Sequence, residues 1–395
     1  MLNQEMVGLG KVRSAIRELF EYGNQRAAVV GRENVFDFSI GNPSVPAPDS
    51  VKRAIQDVIE LDPVAIHGYT SAQGAEDVRQ AMADDLNRRF GTSYGAHNFY
   101  MTCGAAASLT ITLKALTASP EDEFIVIAPY FPEYQVFIQS GAGAKCVVVP
   151  AQIEDLQINF AALESAINSH TKGVLINSPN NPSGVVYSDG TISALADLLR
   201  TKSADYGHPI YLISDEPYRE IVYDGQPVPF IAPRYENSVV CYSYSKSLSM
   251  PGERIGYILV PDSVENFSDL YAAVCGAGRA LGYVCAPALF QRVAARCAGQ
   301  TSDLSIYEKN RKLLLEGLRS SGYQCVSPGG AFYLFPQTLE PDAAAFCERA
   351  KKYDLLLVPG DGFGVSGHMR VSYCVQTETI ERALPLFEKL AREYR

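Results

Sequence analysis

From about residue 100 onward the chain alternates short apolar runs with helical segments, and this alternation limits its possible folds more than any other feature. The runs at 124–128, 147–149, 174–177, 210–213, 239–242 and 255–260 are brief, rich in β-branched residues and not polar at alternate positions. Strands of that kind are buried on both faces. Strands that alternate with helices, such as those read over 105–116 and 192–199, build a mostly parallel sheet with helices covering it. An α/β fold is therefore expected. In such sheets a ligand sits beyond the carboxyl ends of the strands, so the polar residues after each run are the candidates for chemistry.

The pattern changes on either side of that region. Ala15, Ile16, Leu19 and Phe20 recur at helical spacing over 14–20, a strand-like stretch at 35–40 stops at Gly41-Asn42-Pro43, and a polar, proline-rich passage leads to a helix over 50–59. From Pro287 a long helical region is expected to reach Leu318. Short strands at 331–335 and 369–373 then alternate with helices at 343–353 and 378–394, which reads as a smaller α+β unit. A chain of 395 residues is long for one core. We divide it into a large α/β domain, residues 49–287, and a small domain made of residues 1–48 and 288–395. It contains no internal repeat and no low-complexity tract.

With 47% hydrophobic and 20% charged residues there is ample material for a core, and the formal net charge of −10 argues against a nucleic-acid or anionic-membrane surface. Any anion site must be local. No window approaches the roughly 20 apolar residues that span a bilayer, and the N-terminus lacks the apolar stretch of a secretory signal. The nine cysteines are scattered without a Cys-x-x-Cys pair, which reads as reduced thiols in a cytoplasmic protein. The five histidines match no metal-ligand spacing, so no catalytic metal is expected.

The most informative segment is Ser243-Tyr244-Ser245-Lys246, continued by Gly252-Glu253-Arg254-Ile255-Gly256, which joins two apolar runs. Two hydroxyls, a lysine and an arginine converge on one turn. By themselves they are either a solvated basic loop or a site where the lysine amine forms a Schiff base with an aldehyde cofactor whose phosphate the same loop binds. The pattern S-x-S-K followed by G-x-R-I-G resembles the lysine signature of class I and II aminotransferases, which use pyridoxal 5′-phosphate (PLP). The resemblance implies the PLP-dependent transferase fold. It also implies that Lys246 carries the cofactor and moves the substrate's proton, while Ser243, Ser245 and Arg254 hold the cofactor phosphate.

Other segments take on meaning beside this one. Asp215 ends a buried run and Tyr218 follows three residues on. An aspartate there is commonly a helix N-cap, whereas a carboxylate beside a pyridine nitrogen keeps that nitrogen protonated and the ring an electron sink. The family's D-x-x-Y element implies the second role for Asp215, and a hydrogen bond from Tyr218 to the ring's phenolic oxygen. Asn177-Ser178-Pro179-Asn180-Asn181-Pro182-Ser183-Gly184 is rich in turn formers, enough to explain every residue in it. It is also similar to the family's N-P-[ST]-G element, in which Asn181 donates to the same oxygen. Gly104, Ala105 and Ala106 open a helix whose unpaired N–H groups suit a phosphate, a common feature of helix starts that the resemblance makes specific. In Pro129-Tyr130-Phe131 the aromatics read as packing, and the family pattern lays Phe131 flat on the pyridine, with Tyr130 as the alternative one residue away.

Arg370, in the apolar stretch Met369-Arg370-Val371-Ser372, needs an anionic partner, either a structural carboxylate or a ligand. The pattern R-[VIL]-S-[YF] implies that it binds the substrate α-carboxylate, with Asn181 and the backbone of Gly41 beside it. Tyr69 is a surface-loop tyrosine or, by resemblance, the residue that reaches a neighbouring subunit's cofactor phosphate in a homodimer. Arg279 lies near where dicarboxylate-specific members carry an arginine for the neighbour's substrate side chain.

The resemblance runs from Gly41 to Arg370, with its elements in the family's order. It implies double-displacement transamination between an amino acid and a 2-oxo acid, with glutamate and 2-oxoglutarate as one pair and aspartate as a candidate for the other. A C–S β-lyase of the cystathionine type would share the same machinery. A PLP-binding regulatory protein is a further rival, though no helix-turn-helix extension precedes Gly41.

Overall fold

A computed structural model of the chain describes residues 2–11 and 15–395. Its strands are β1 (Phe36–Asp37), β2 (Phe99–Thr102), β3 (Glu123–Ala128), β4 (Lys145–Pro150), β5 (Thr171–Asn177), β6 (Tyr211–Asp215), β7 (Ser238–Ser243), β8 (Gly256–Leu259), β9 (Tyr333–Leu334), β10 (Leu355–Leu356), β11 (Val358–Pro359) and β12 (Met369–Ser372). Seven of them, β2 to β8, form one sheet in the order β2-β8-β7-β6-β5-β3-β4. Pairs from β4 across to β7 are parallel, and β8 runs antiparallel to both β7 and β2.

The mostly parallel sheet follows from residues that are apolar on both faces. In β3, Phe124 and Val126 join Leu109 and Leu113 of the Ala105–Leu116 helix on one side. Ile125 and Ile127 join Ile192, Leu195 and Leu199 of the Asp189–Tyr206 helix on the other. Each such side chain contributes roughly 1.5–3 kcal/mol on full burial, so strand ends held between two helix layers are rigid places to mount a site.

Each of the six apolar runs coincides with a strand, apart from Ile210, Ile255 and Val260 at the run ends, and the helix over 105–116 has the expected bounds. β2 is an edge strand paired with β8. The helical region expected from 287 to 318 is two helices, Ala288–Arg296 and Ser305–Ser320. Gly299 turns the chain between them in the left-handed region, at φ 75°. Asp303 then accepts from the Ser305 amide at 3.0 Å to start the second. The helix expected over 14–20 runs on as Ala15–Val30; Ser14 lies outside the described residues. The stretch at 35–40 shortens to β1, because Asp37 Oδ1 accepts from the Ser39 amide and hydroxyl and turns the chain at once.

The remaining strands form two small sheets. β11, β12 and β9 are antiparallel, and β1 pairs in parallel with β10. Phe36 and Phe38 thus share a core with Phe332, Phe346, Leu355, Ile380 and Phe387. The Ala288–Arg296 helix packs instead on the Asp49–Ile59 and Glu76–Phe90 helices. No helix among the described residues is long and apolar enough to cross a membrane.

Candidate active site

The carboxyl ends of the parallel strands lie side by side. Asn177 of β5, Asp215 of β6 and Cys241 of β7 are register partners, and Ser243 and Thr102 both face Gly256 at the start of β8. Because β8 runs the other way, Arg254, two residues before it, falls on the same edge as Ser245 and Lys246 after β7. A cavity of about 300 Å³ opens at that edge. Ala105, Ala106, Phe131, Asn181, Asp215, Tyr218, Ser243, Ser245, Lys246 and Arg254 line it from the large sheet, and Gly41 and Arg370 line it from the other side.

At the floor lies Asp215. Its Oδ2 accepts from the Tyr134 hydroxyl at 2.5 Å, while its Oδ1 is buried with no partner. Burial pushes the carboxyl up to about 7; the Tyr134 hydrogen bond pulls the other way, and the Glu216 charge adds to the rise. Burial also holds the phenols of Tyr134 and Tyr218 well above their ordinary range, so both stay protonated. The Tyr218 and Tyr333 hydroxyls meet at 3.0 Å.

Lys246 Nζ donates to the Gly41 carbonyl at 2.7 Å and lies 5.7 Å from the centre of the Phe332 ring. Burial lowers its pKa to about 8; the Cys374 thiol opposes that shift, and Arg370 and Arg254 reinforce it. The Arg370 guanidinium is almost wholly buried between the Tyr333 and Phe363 rings, 4.8 and 5.0 Å from their centres. It donates through Nη1 to Asn181 Oδ1 at 3.0 Å and through Nη2 to the Ser39 carbonyl, and its Nε has no partner. A buried polar atom left unpaired by the protein is the exception in folded chains and marks where a ligand can bind.

The opposite end of the cavity is an anion cradle. Gly104 caps the Ala105–Leu116 helix at φ 86°, so the helix's unpaired amides face Arg254 and the Ser243 and Ser245 hydroxyls. The two hydroxyls lie 2.6 Å apart. A Cβ on Gly104 would stand 2.8 Å from Arg254 Nη2, so glycine is what lets the guanidinium approach the helix start.

Of the expected residues, Tyr69 and Arg279 lie away from the cavity of this chain, and Gly104, the N-cap beside Arg254, is not among the residues that line it. Tyr69 is 93% exposed, and Arg279 is exposed in the last turn of the Phe267–Ala280 helix. Between the two aromatic candidates, Phe131 lines the cavity, whereas the buried Tyr130 hydroxyl turns toward Gln135. Sequence reasoning missed Tyr134, Tyr333 and the apolar wall residues Ile16 and Phe137. The one signal for Tyr134 is its place three residues after Phe131, and Tyr333 is hidden in an apolar run.

The residues fit the cofactor that the resemblance implies. A primary amine with weakened proton affinity suits an aldehyde, an unpartnered carboxylate oxygen suits a pyridinium nitrogen, and helix amides with an arginine and two hydroxyls suit a phosphate. The unspent Arg370 nitrogen suits a substrate carboxylate.

The chain matches the family described as aminotransferase class I and II over residues 33–386. It is 29% identical over 375 residues to the aspartate/prephenate aminotransferase of Thermus thermophilus, spanning 93% of this chain and 94% of that protein. It is 28% identical over 393 residues to aromatic-amino-acid aminotransferase 2 of Thermococcus litoralis, spanning 96% of each. A solved aminotransferase structure from Eubacterium rectale superposes with a TM-score of 0.98 at 60% identity, over 100% of this chain and 99% of that one. The aspartate aminotransferase of Thermus thermophilus with maleate superposes with a TM-score of 0.86 at 26% identity, over 99% of both chains.

Proposed function

Because the chain belongs to the class I and II aminotransferase family, we propose that it uses pyridoxal 5′-phosphate to move an amino group between an amino acid and a 2-oxo acid. We take glutamate and 2-oxoglutarate as one pair and aspartate as the candidate second donor, acting in a cytoplasmic homodimer. The reading rests on one observation. A single cavity brings together a lysine amine of lowered proton affinity with a carboxylate oxygen and a guanidinium nitrogen that the protein leaves unpaired.

When bound, the cofactor supplies an electron sink for the bonds around the amino acid's Cα. Asp215 Oδ1 would keep a pyridine nitrogen protonated, Tyr218 and Asn181 would serve the ring oxygen, and Phe131 would pack against the ring. The amides of Gly104, Ala105 and Ala106 would hold the phosphate with Ser243, Ser245 and Arg254. Arg370 binds the α-carboxylate and thereby orients Cα toward Lys246. With a pKa of about 8, Lys246 Nζ is neutral in about a tenth of molecules at pH 7, far more than an ordinary lysine, so it can take the Cα proton and hand it back on the far side of the amino nitrogen.

An acidic side chain needs a further cation. Besides Lys246, Arg254 and Arg370, no lysine or arginine among the described residues lines the cavity. We assign that task to Arg279 of a second copy, with Tyr69 serving the second copy's phosphate. The division into a large domain, residues 49–287, and a small domain, residues 1–48 plus 288–395, remains our proposal; the Ala288–Arg296 helix of the second packs on the Asp49–Ile59 and Glu76–Phe90 helices of the first.

A half-reaction screen of amino acids in turn tests the reading: glutamate and aspartate should bleach the visible absorption of the bound cofactor and release their 2-oxo acids, and Lys246→Ala should abolish both. Pyruvate and ammonia from cysteine conjugates, with no 2-oxo acid required, would favour the β-lyase instead.

A further inference from the structure

Tyr134 has no part in the mechanism above and does not line the cavity, yet it touches one of the cavity's central groups. It sits on the short Glu133–Val136 helical turn after β3, with 1% of its surface exposed. Its hydroxyl donates to Asp215 Oδ2 at 2.5 Å.

The two oxygens of Asp215 therefore differ. Its backbone is held by the sheet, and its carbonyl accepts from Asn177 Nδ2 at 2.8 Å. With the backbone fixed by β6 and Oδ2 fixed by Tyr134, the unpartnered Oδ1 is the one oxygen left for a ligand.

The charged and titratable groups around it do not help it ionise. Glu216, next in the chain, opposes a second negative charge, although Arg219 and the Ser214 hydroxyl hold it in place. Cys241 on β7 is a thiol that burial keeps protonated, and the Tyr218 phenol is paired with Tyr333. The Tyr134 hydroxyl is the neighbour that favours the carboxylate. The same turn also carries Phe131: the Tyr134 amide donates to the Phe131 carbonyl at 3.0 Å, and the rings meet edge to face at 5.6 Å.

Resting on the cofactor reading given above, we propose that Tyr134 is a positioning residue whose hydroxyl pins Oδ2, so that Asp215 offers an ionised Oδ1 to the pyridine nitrogen. It acts through Asp215 and touches neither cofactor nor substrate.

The test is a titration of the apoenzyme with pyridoxal 5′-phosphate, read by absorption and circular dichroism of the bound cofactor rather than by turnover. Wild type, Tyr134→Phe and Asp215→Asn are compared between about pH 6 and 9, spanning the carboxyl's titration. Losing one hydrogen bond to the charged form should weaken cofactor binding about tenfold at neutral pH and move the acidic limb of the affinity profile up by about one pH unit. The direction follows from the chemistry. The lost bond favoured the carboxylate, so the proton binds Asp215 more readily and the deficit grows as pH falls.

A merely structural role would weaken binding equally at every pH. Such a uniform loss overturns the proposal, and so does wild-type behaviour in Tyr134→Phe when Asp215→Asn binds poorly. Wild-type binding in Asp215→Asn would instead overturn the cofactor reading itself. If Tyr134→Phe does not fold, Tyr134→Met, which fills the space without a donor, is read by the same criteria.

Discussion

Lys246 Nζ donates to the Gly41 carbonyl at 2.7 Å across 205 positions of sequence. The bond joins the turn beyond β1 to the end of β7, so the two walls of the cavity meet at the amine. Gly41 is also where a side chain cannot be placed, since a Cβ there would lie 1.9 Å from the Tyr333 hydroxyl.

Gly41→Ala should therefore displace Tyr333 and its hydrogen bond to Tyr218. The expected cost is about 1–3 kcal/mol of stability, the usual range for overpacking, together with a raised KM for amino acids. Urea unfolding and steady-state kinetics check it, and an unchanged unfolding midpoint would show that the turn has room to spare.

The lowered pKa of Lys246 gives a pH dependence with a definite sign. The unfolded chain keeps this proton to about 10.5, and the folded chain loses it near 8. Between those values the unfolded state binds more protons, so apoenzyme stability should rise with pH across that window. Lys246→Met should lack the rise. Urea midpoints of both proteins from about pH 7 to 10 measure the difference, which should narrow as pH increases.

Arg370→Lys keeps the charge and loses the planar fork. We expect kcat/KM to fall about a hundredfold for every amino acid, within the range for truncating one partner of a buried charge pair. Cofactor affinity should stay near wild type, which separates a substrate contact from general collapse of the site.

Arg279→Ala should lower kcat/KM for aspartate and glutamate by at least about tenfold, the scale of one lost ion pair, and leave alanine unaffected. Parallel kinetics with the three donors decide it. Equal effects on all three would remove Arg279 from side-chain recognition and leave the preference for acidic donors without a cation.

Much of the site was legible because a parallel sheet puts chemistry at its strand ends. Asp215 and Ser243 are the last residues of β6 and β7, Lys246 comes three residues later on the Tyr244–Ser247 turn, and Arg254 precedes the antiparallel β8 at the same edge. Tyr134 and Tyr333 were not legible. Each acts through a hydroxyl that meets its partner only after folding, 81 positions from Asp215 and 115 from Tyr218, and in sequence both look like packing aromatics. Strands β1, β10 and β11 have two residues each, too few for a period to register, and exist through tertiary pairing. The break between 296 and 305 escaped notice because the flanking residues continue a helical pattern, and Gly299 ends it through a left-handed turn.

The most direct test of the central claim is to reduce the cofactor-loaded enzyme with borohydride, digest it, and locate the cofactor mass by peptide sequencing in a mass spectrometer. The expected result is a single modified residue, Lys246, with none in Lys246→Ala. A cofactor fixed to any other lysine, or to none, would contradict the assignment of this cavity.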